Sequence, residues 1–239
     1  MRRFDCSQAE RRNAGLREAA AAVQDGQLVV LPTDTVYGVG ADAFSPDAVR
    51  RLLAVKGRGR NMPSPVLVGD RSQLEALVAH LPGSAQELVS AFWPGALTLV
   101  LRHKPSITWD LGETYGTVAV RMPDHALALE LLGRTGPMAV SSANLTGQPS
   151  PQDCDAAQGM LGDTVAVYLD AGPTTAAVPS SIVDLTGPQP ELLRAGAIGA
   201  QQLSRSCPGC ESAERQAAQS ASTSRPRAVT RWALPSVSR

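Results

Sequence analysis

The feature that most narrows the folds open to this chain is a series of short apolar runs, each stopped by a polar or glycine-containing cluster. Leu28-Val29-Val30-Leu31 halts at Pro32 and passes at once into Thr33-Asp34-Thr35-Val36-Tyr37-Gly38. An apolar run of that length, bounded by turn residues, reads as a buried strand. Residues 66–68, 96–101, 117–120, 138–140, 165–169, 182–185 and 192–193 repeat the pattern. Helical periodicity lies between them. Residues 9–24 put Leu16, Ala20 and Val23 on one face, with Gly26 placed for the C-terminal cap. Ser45-Pro46 opens a second helix with apolar Val49, Leu52 and Leu53, ending near Gly57. Residues 74–78 and 85–92 are two short helices, and 124–132 is a helix with Asp124 as its cap. Strands and helices alternate irregularly. That predicts an α/β fold: one twisted mixed-sheet domain with flanking helices, not a regular doubly wound sheet.

Composition supports a packed domain and excludes several classes. Hydrophobic residues make up 43% and charged residues 18% of 239 residues, too apolar for a disordered chain. No stretch approaches the roughly 18 to 20 apolar residues of a membrane span. Residues 1–10 are polar and lack a signal-peptide core, which predicts a cytoplasmic protein. Cys6, Cys154, Cys207 and Cys210 are too few and scattered for a disulfide scaffold. Cys207-Pro-Gly-Cys210 lacks the second ligand pair that a structural zinc site needs.

Charge is uneven although the total is zero. Residues 1–204 carry sixteen basic and twenty acidic side chains, whereas 205–239 carry six arginines against Glu211 and Glu214. The expected domain therefore spans 8–203, and 204–239 reads as a disordered Arg/Ser-rich tail, or as a nucleic-acid-binding arm.

The polar clusters at strand ends carry the functional signal, because ligands of α/β sheets bind there. Lys56, Arg58, Arg121 and Arg194 supply four cations suited to a polyphosphate and a carboxylate. Hydroxyls at Ser141 and Ser142 and the Asn144 amide can orient neutral or oxyanionic groups. Each cluster also has a plain reading as a charged helix end, a turn or a cap. Several other chemistries are unmarked. The chain has no G-x-x-x-x-G-K-[ST] loop, no G-x-G-x-x-G fingerprint and no G-x-S-x-G elbow. His80, His103 and His125 stand apart from any nucleophile. These residues predict catalysis by positioning and charge stabilisation, without a covalent intermediate.

The same clusters resemble the YrdC-like family, the threonylcarbamoyl-AMP synthases. The matching segments are LPTDTVYGVGADA (31–43), KGR (56–58), FWPGALTLVL (92–101), TVAVRMPDH (117–125), PMAVSSANLTGQPSP (137–151), PSSIVDLT (179–186) and LLRAGAI (192–198). The set Lys56, Arg58, Ser142 and Asn144 is the family's hallmark. The resemblance implies a single α/β domain around a concave cationic cavity, in the short form without an added C-terminal domain. It implies an enzyme that joins L-threonine, bicarbonate and ATP into threonylcarbamoyl-AMP and releases pyrophosphate, with Mg2+ accompanying the ATP. A separate transferase complex would then modify N6 of adenosine 37 in tRNA. By motif position, Thr35, Arg121, Ser142 and Ser180 are threonine-side contacts. Lys56, Arg58, Thr117, Asn144, Ser150 and Arg194 are nucleotide and phosphate contacts, with charge stabilisation falling to Lys56 and Arg58. Thr33 and Tyr37 would shape the cavity.

The stretch after Arg58 departs from the family pattern. Where many members have asparagine this chain has Met62, or the position is shifted to Asn61, and Leu67 stands where they have histidine, with Arg60 the nearest substitute. Two alternatives follow: a double-stranded RNA-binding module, or a YrdC-like paralogue with other carbamoyl chemistry.

Overall fold

The computed structural model describes residues 1–174 and 178–207. Ten strands form one sheet: β1 (Arg2–Asp5), β2 (Val29–Leu31), β3 (Gly38–Asp42), β4 (Val66–Leu67), β5 (Leu97–Arg102), β6 (Thr117–Arg121), β7 (Met138–Ser142), β8 (Val167–Asp170), β9 (Ser181–Asp184) and β10 (Glu191–Arg194). Their order is β1-β8-β2-β3-β7-β4-β6-β5-β9-β10. Four pairs are parallel (β1–β8, β8–β2, β4–β6, β5–β9) and the rest are antiparallel, so the sheet is mixed as expected. Among the described residues seven α-helices flank it: α1 (Ala9–Gln24), α2 (Pro46–Val55), α3 (Arg71–Leu77), α4 (Gly83–Phe92), α5 (Ala126–Thr135), α6 (Cys154–Leu161) and α7 (Ala200–Ser206). None is long and apolar enough to cross a membrane.

Local chemistry accounts for most of the boundaries. α1 buries Leu16, Ala20 and Val23, and Gly26 follows at φ 69°. Ser45 caps α2, its hydroxyl accepting from Ala48 N–H at 3.3 Å, and Gly57 ends that element at φ 63°. One expected cap differs. α5 begins at Ala126 with His125 at the cap position, and Asp124 plays no capping part. Its backbone N–H is instead taken by the Asp34 carboxylate at 3.0 Å, which holds it outside the helix.

The domain is also wider than residues 8–203. β1 pairs in parallel with β8, and Arg3 clamps Asp170 at 2.6 Å. At the other end α7 continues through Ser206, with Leu203 and Cys207 buried. Residues 208–239, including Cys210 and most of the expected tail, lie outside the described residues.

Side-chain alternation sorts the sheet into two faces. Val30, Val39, Val66, Leu97, Leu99, Val118, Val120, Ala139 and Val183 face one way and pack with residues of α2, α3, α4, α6 and α7. The opposite face is split. Val29, Leu31, Leu67, Met138 and Val140 pack there against α1 and α5. The other half of that face, on β5, β6 and β9, holds Val100, Ala119 and Ile182, a cluster with no helical member. That half is where the polar side chains gather.

Candidate functional site

Period-two alternation explains the gathering. On β6, Thr117 and Arg121 share the face of Ala119; on β5, Thr98 shares the face of Val100; on β7, Ser142 shares the face of Val140. Ser180, just before β9, and Arg194, at the end of β10, adjoin this half of the sheet. The clusters do not share one sheet end, however. Val66 pairs with both Val120 and Ala139, which sets Arg121 toward the Met138 end and Thr117 toward the Ser142 end. The loop 32–37 leaves from the Ser142 end and closes the distance, because Thr35 receives the Arg121 guanidinium.

Three groups make up the site. In the first, Lys56 follows α2 and is 1% exposed. Its ammonium donates to the Ser142 carbonyl at 2.5 Å, to the Asn144 carbonyl, and to Asn144 Oδ1 at 2.9 Å. Ser142 Oγ donates to the same Oδ1 at 2.5 Å, and Asn144 Nδ2 ties down the Leu145 and Gln148 carbonyls. Arg58 approaches the Ser141 hydroxyl at 3.1 Å and that of Thr146 at 3.3 Å.

The second group centres on Arg121, buried and tethered three ways. It donates to the Gly95 carbonyl at 2.9 Å, Thr35 Oγ1 at 2.9 Å and Asp34 Oδ1 at 2.6 Å. Thr33 Oγ1 stands 3.0 Å from Thr35 Oγ1 and accepts the N–H groups of Thr35 and Val36, so the loop is a hydroxyl-stapled turn. Tyr37, wholly buried, anchors the same loop by donating to the Gly172 carbonyl at 2.6 Å.

In the third group Arg194 donates to the Ser180 carbonyl at 2.6 Å and to its hydroxyl at 3.2 Å. The Ser180 hydroxyl meets Thr98 Oγ1 at 2.8 Å.

Electrostatics join the groups. Burial lowers the pKa of all four cations, Lys56 to about 7 and Arg194 to about 10. Arg58 pushes Lys56 further down, and Arg121 and Arg58 do the same to Arg194. Of these four, only Arg121 has a carboxylate partner among the described residues, Asp34. Buried like charges without counter-ions cost free energy that a bound anion offsets.

The remaining expected residues sit apart. Thr117 Oγ1 donates to the Thr114 carbonyl at 2.7 Å, and the Ser150 carbonyl accepts from Gln152. Arg60, the expected substitute near the altered stretch, forms a two-pronged exposed pair with Asp110 at 2.7 and 2.8 Å. Leu67 lies in β4 within the α1/α5-side core, and Met62 is half-buried in the turn after Gly59, its backbone N–H donating to the Gly59 carbonyl at 3.1 Å. Neither offers a hydrogen-bonding side chain.

The reading of the sequence missed Asp34 and Thr98 as site residues. Thr98 carried a signal, as the one hydroxyl inside the apolar run 97–101. A cavity of about 720 Å3 opens elsewhere, between α1, α2 and the 163–167 segment, and includes none of these residues. A smaller one, about 240 Å3, is lined by Thr33, Asp34, Asp124 and His125.

Comparison with known proteins bears on the family and the fold. The family profile Sua5_yciO_yrdC, described as Telomere recombination, matches residues 21–196. A Mycobacterium tuberculosis protein, provisionally named a threonylcarbamoyl-AMP synthase, is 55% identical over 200 residues, covering 84% of this chain and 92% of that one. The threonylcarbamoyl-AMP synthase of Bacillus subtilis is 42% identical over 190 residues, covering 79% of this chain and 55% of its own. The crystal structure of P. abyssi Sua5 complexed with L-threonine superposes with a TM-score of 0.78 at 36% identity, over 82% of this chain and 58% of that one. E. coli YciO, at 23% identity and a TM-score of 0.73, shares the fold. With its profile matched across most of the chain and its sheet superposed on solved relatives, the chain belongs to the Sua5/YciO/YrdC family.

Proposed function

We propose that this chain is an L-threonylcarbamoyladenylate synthase, an enzyme that joins L-threonine, bicarbonate and ATP into threonylcarbamoyl-AMP and releases pyrophosphate. The observation that carries the reading is the cluster of four cations, Lys56 and Arg121 buried and Arg58 and Arg194 half-buried, with a single carboxylate partner among the described residues. The relatives named threonylcarbamoyl-AMP synthase and the threonine-bound neighbour favour it over an RNA-binding module.

The chemistry follows from the charges. The threonine amine takes up the bicarbonate carbon, and water leaves. One oxygen of the resulting N-carboxylate attacks the α-phosphorus, and pyrophosphate departs. Both reactants are anions, so their meeting needs fixed positive charge in a partly dehydrated site. Arg121, held by Thr35 and Asp34, would present a planar fork to the threonine carboxylate, and Ser142 and Ser180 would contact other parts of the threonine. Lys56, Arg58 and Arg194 face the triphosphate, and Asn144 fixes the loop 143–153 that carries Ser150. Thr117 completes the nucleotide side. Alignment of two bound reactants of this kind is worth roughly 7–11 kcal/mol in intramolecular models.

Among the described residues no cluster of three or more His, Cys, Asp or Glu is placed to hold a metal. Mg2+ would therefore arrive as part of the substrate, on the ATP phosphates. The product would pass, in the cytoplasm, to a transferase complex acting on tRNA, and the enzyme would touch RNA only in that context.

Pyrophosphate release should require both L-threonine and bicarbonate when each is omitted in turn. Release indifferent to threonine, with salt-sensitive RNA binding in its place, would support the RNA-binding reading instead.

Gly196 gives a further expectation. A Cβ there would fall 2.5 Å from the Ser180 carbonyl carbon, so Gly196→Ala must displace the residue that holds Arg194. The substitution should cost about 1–3 kcal/mol in denaturant unfolding. It should also lower turnover more than an overpacked core position of equal stability cost. Turnover that tracks stability alone would show that Ser180 is a bystander.

A further inference from the structure

Among the described residues Asp34 is the one carboxylate within the cationic cluster, and the synthase chemistry asks of it only that it hold Arg121. Its Oδ1 accepts from Arg121 Nη2 at 2.6 Å and from the Asp124 N–H at 3.0 Å. The pair is nearly dry, with side-chain exposures of 8% for Arg121 and 17% for Asp34. Among the described residues the other three cations meet only neutral oxygens. Lys56 donates to carbonyls and the Asn144 amide, Arg58 to two hydroxyls, and Arg194 to the carbonyl and hydroxyl of Ser180.

The cluster is thus divided by charge. Arg121 and Asp34 sum to zero, whereas Lys56, Arg58 and Arg194 keep their positive charge unopposed. An ATP triphosphate carries several negative charges and is drawn to the unopposed end. An amino-acid zwitterion has no net charge and offers one carboxylate, which suits a neutralised arginine. Arg121 has five N–H groups, three of them engaged by Gly95, Thr35 and Asp34, which leaves two for such a carboxylate. Asp34 also repels a phosphate placed at the same point, as any fixed like charge does in a site of low dielectric.

We infer that Asp34 is a positioning and specificity residue: it neutralises Arg121 and so reserves that end of the site for the amino acid, keeping the polyphosphate at the Lys56, Arg58 and Arg194 end. The inference rests on the synthase reading.

The test compares the full chain with Asp34→Asn and Asp34→Glu. Asparagine keeps the shape and an acceptor for Arg121 and for the Asp124 N–H, but removes the charge. Asp34→Asn is expected to raise the KM for threonine about tenfold at saturating ATP, because the triphosphate then competes for an Arg121 that is no longer neutralised. The KM for ATP should stay within about twofold of wild type. Inorganic tripolyphosphate, which should compete only with ATP in the wild type, should compete with threonine as well in Asp34→Asn. Asp34→Glu restores the charge and should remove that cross-competition. An unchanged or lower KM for threonine, or no cross-competition, would overturn the inference. Equal rises in both KM values, or a fall in kcat alone, would also overturn it, because a merely structural role gives that pattern. A wild-type chain with no threonine-dependent pyrophosphate release would instead remove the synthase reading, and this inference with it.

Discussion

Arg58→Ala is expected to slow pyrophosphate release by about 10²–10³-fold while the unfolding midpoint stays close to wild type. The asymmetry comes from the partners of Arg58. Its guanidinium is half-buried and meets only the hydroxyls of Ser141 and Thr146. Removing it strands no buried carboxylate, and two hydroxyls can turn to water at little cost. The positive charge it offers the triphosphate has no replacement, because Lys56 is already occupied by two carbonyls and an amide oxygen. Lys56→Ala should behave differently. It takes the ammonium from the Ser142 and Asn144 carbonyls at a position 1% exposed, while Asn144 Oδ1 keeps the Ser142 hydroxyl, so a loss of stability on the order of 1–3 kcal/mol accompanies the loss of activity. Denaturant midpoints and kcat/KM, measured on both variants, separate the two cases. Wild-type turnover in Arg58→Ala would remove that residue from the phosphate site.

The second large effect is on pH dependence. Burial and the nearby Arg58 bring Lys56 down from 10.5 to about 7. Between those values the unfolded chain holds a proton that the folded chain has lost. The destabilising contribution of Lys56 is therefore fully present below about pH 7 and fades as the pH rises toward 10.5. ATP affinity runs the other way. Bound phosphate favours the ammonium form, so binding above pH 7 draws in a proton. Affinity should then fall by up to about tenfold per pH unit across pH 7 to 9. Calorimetry at pH 8, in two buffers of different ionisation enthalpy, should show uptake approaching one proton per ATP. Binding with no proton uptake, and affinity flat across that range, would place the titration elsewhere.

The fold was legible where packing repeats a period. α1 and α2, with their glycine ends, stand where the spacing of Leu16, Val23, Val49 and Leu52 predicts them. β3 was hidden because it offers Gly38 and Gly40 where a strand would show side chains. The glycines are required because a Cβ at Gly38 would lie 2.7 Å from Val140, and one at Gly40 2.9 Å from Met138. β1 was hidden by its charges, which serve an edge strand through the pairing of Arg3 with Asp170. Both errors share a cause: the residues answer to a neighbouring strand remote in sequence.

The site was legible as a set of residue types and less so as an arrangement. Polar clusters at strand ends pointed to the four cations that the fold brings together, but not to how they meet. Arg121 and Ser142 lie toward opposite ends of the sheet, and the 32–37 loop brings Thr35 to Arg121 only because the hydroxyl of Thr33 folds that loop back. Asp34 looked like an ordinary turn aspartate, because its partner lies 87 residues away.

The most direct test of the central claim uses 13C-labelled bicarbonate with L-threonine and ATP, followed by mass spectrometry of the nucleotide product. The account predicts an adenylate that contains threonine and gains one mass unit from the labelled carbon, formed in equal amount to pyrophosphate. AMP or ADP as the only nucleotide products, with no label in an adenylate, would contradict it.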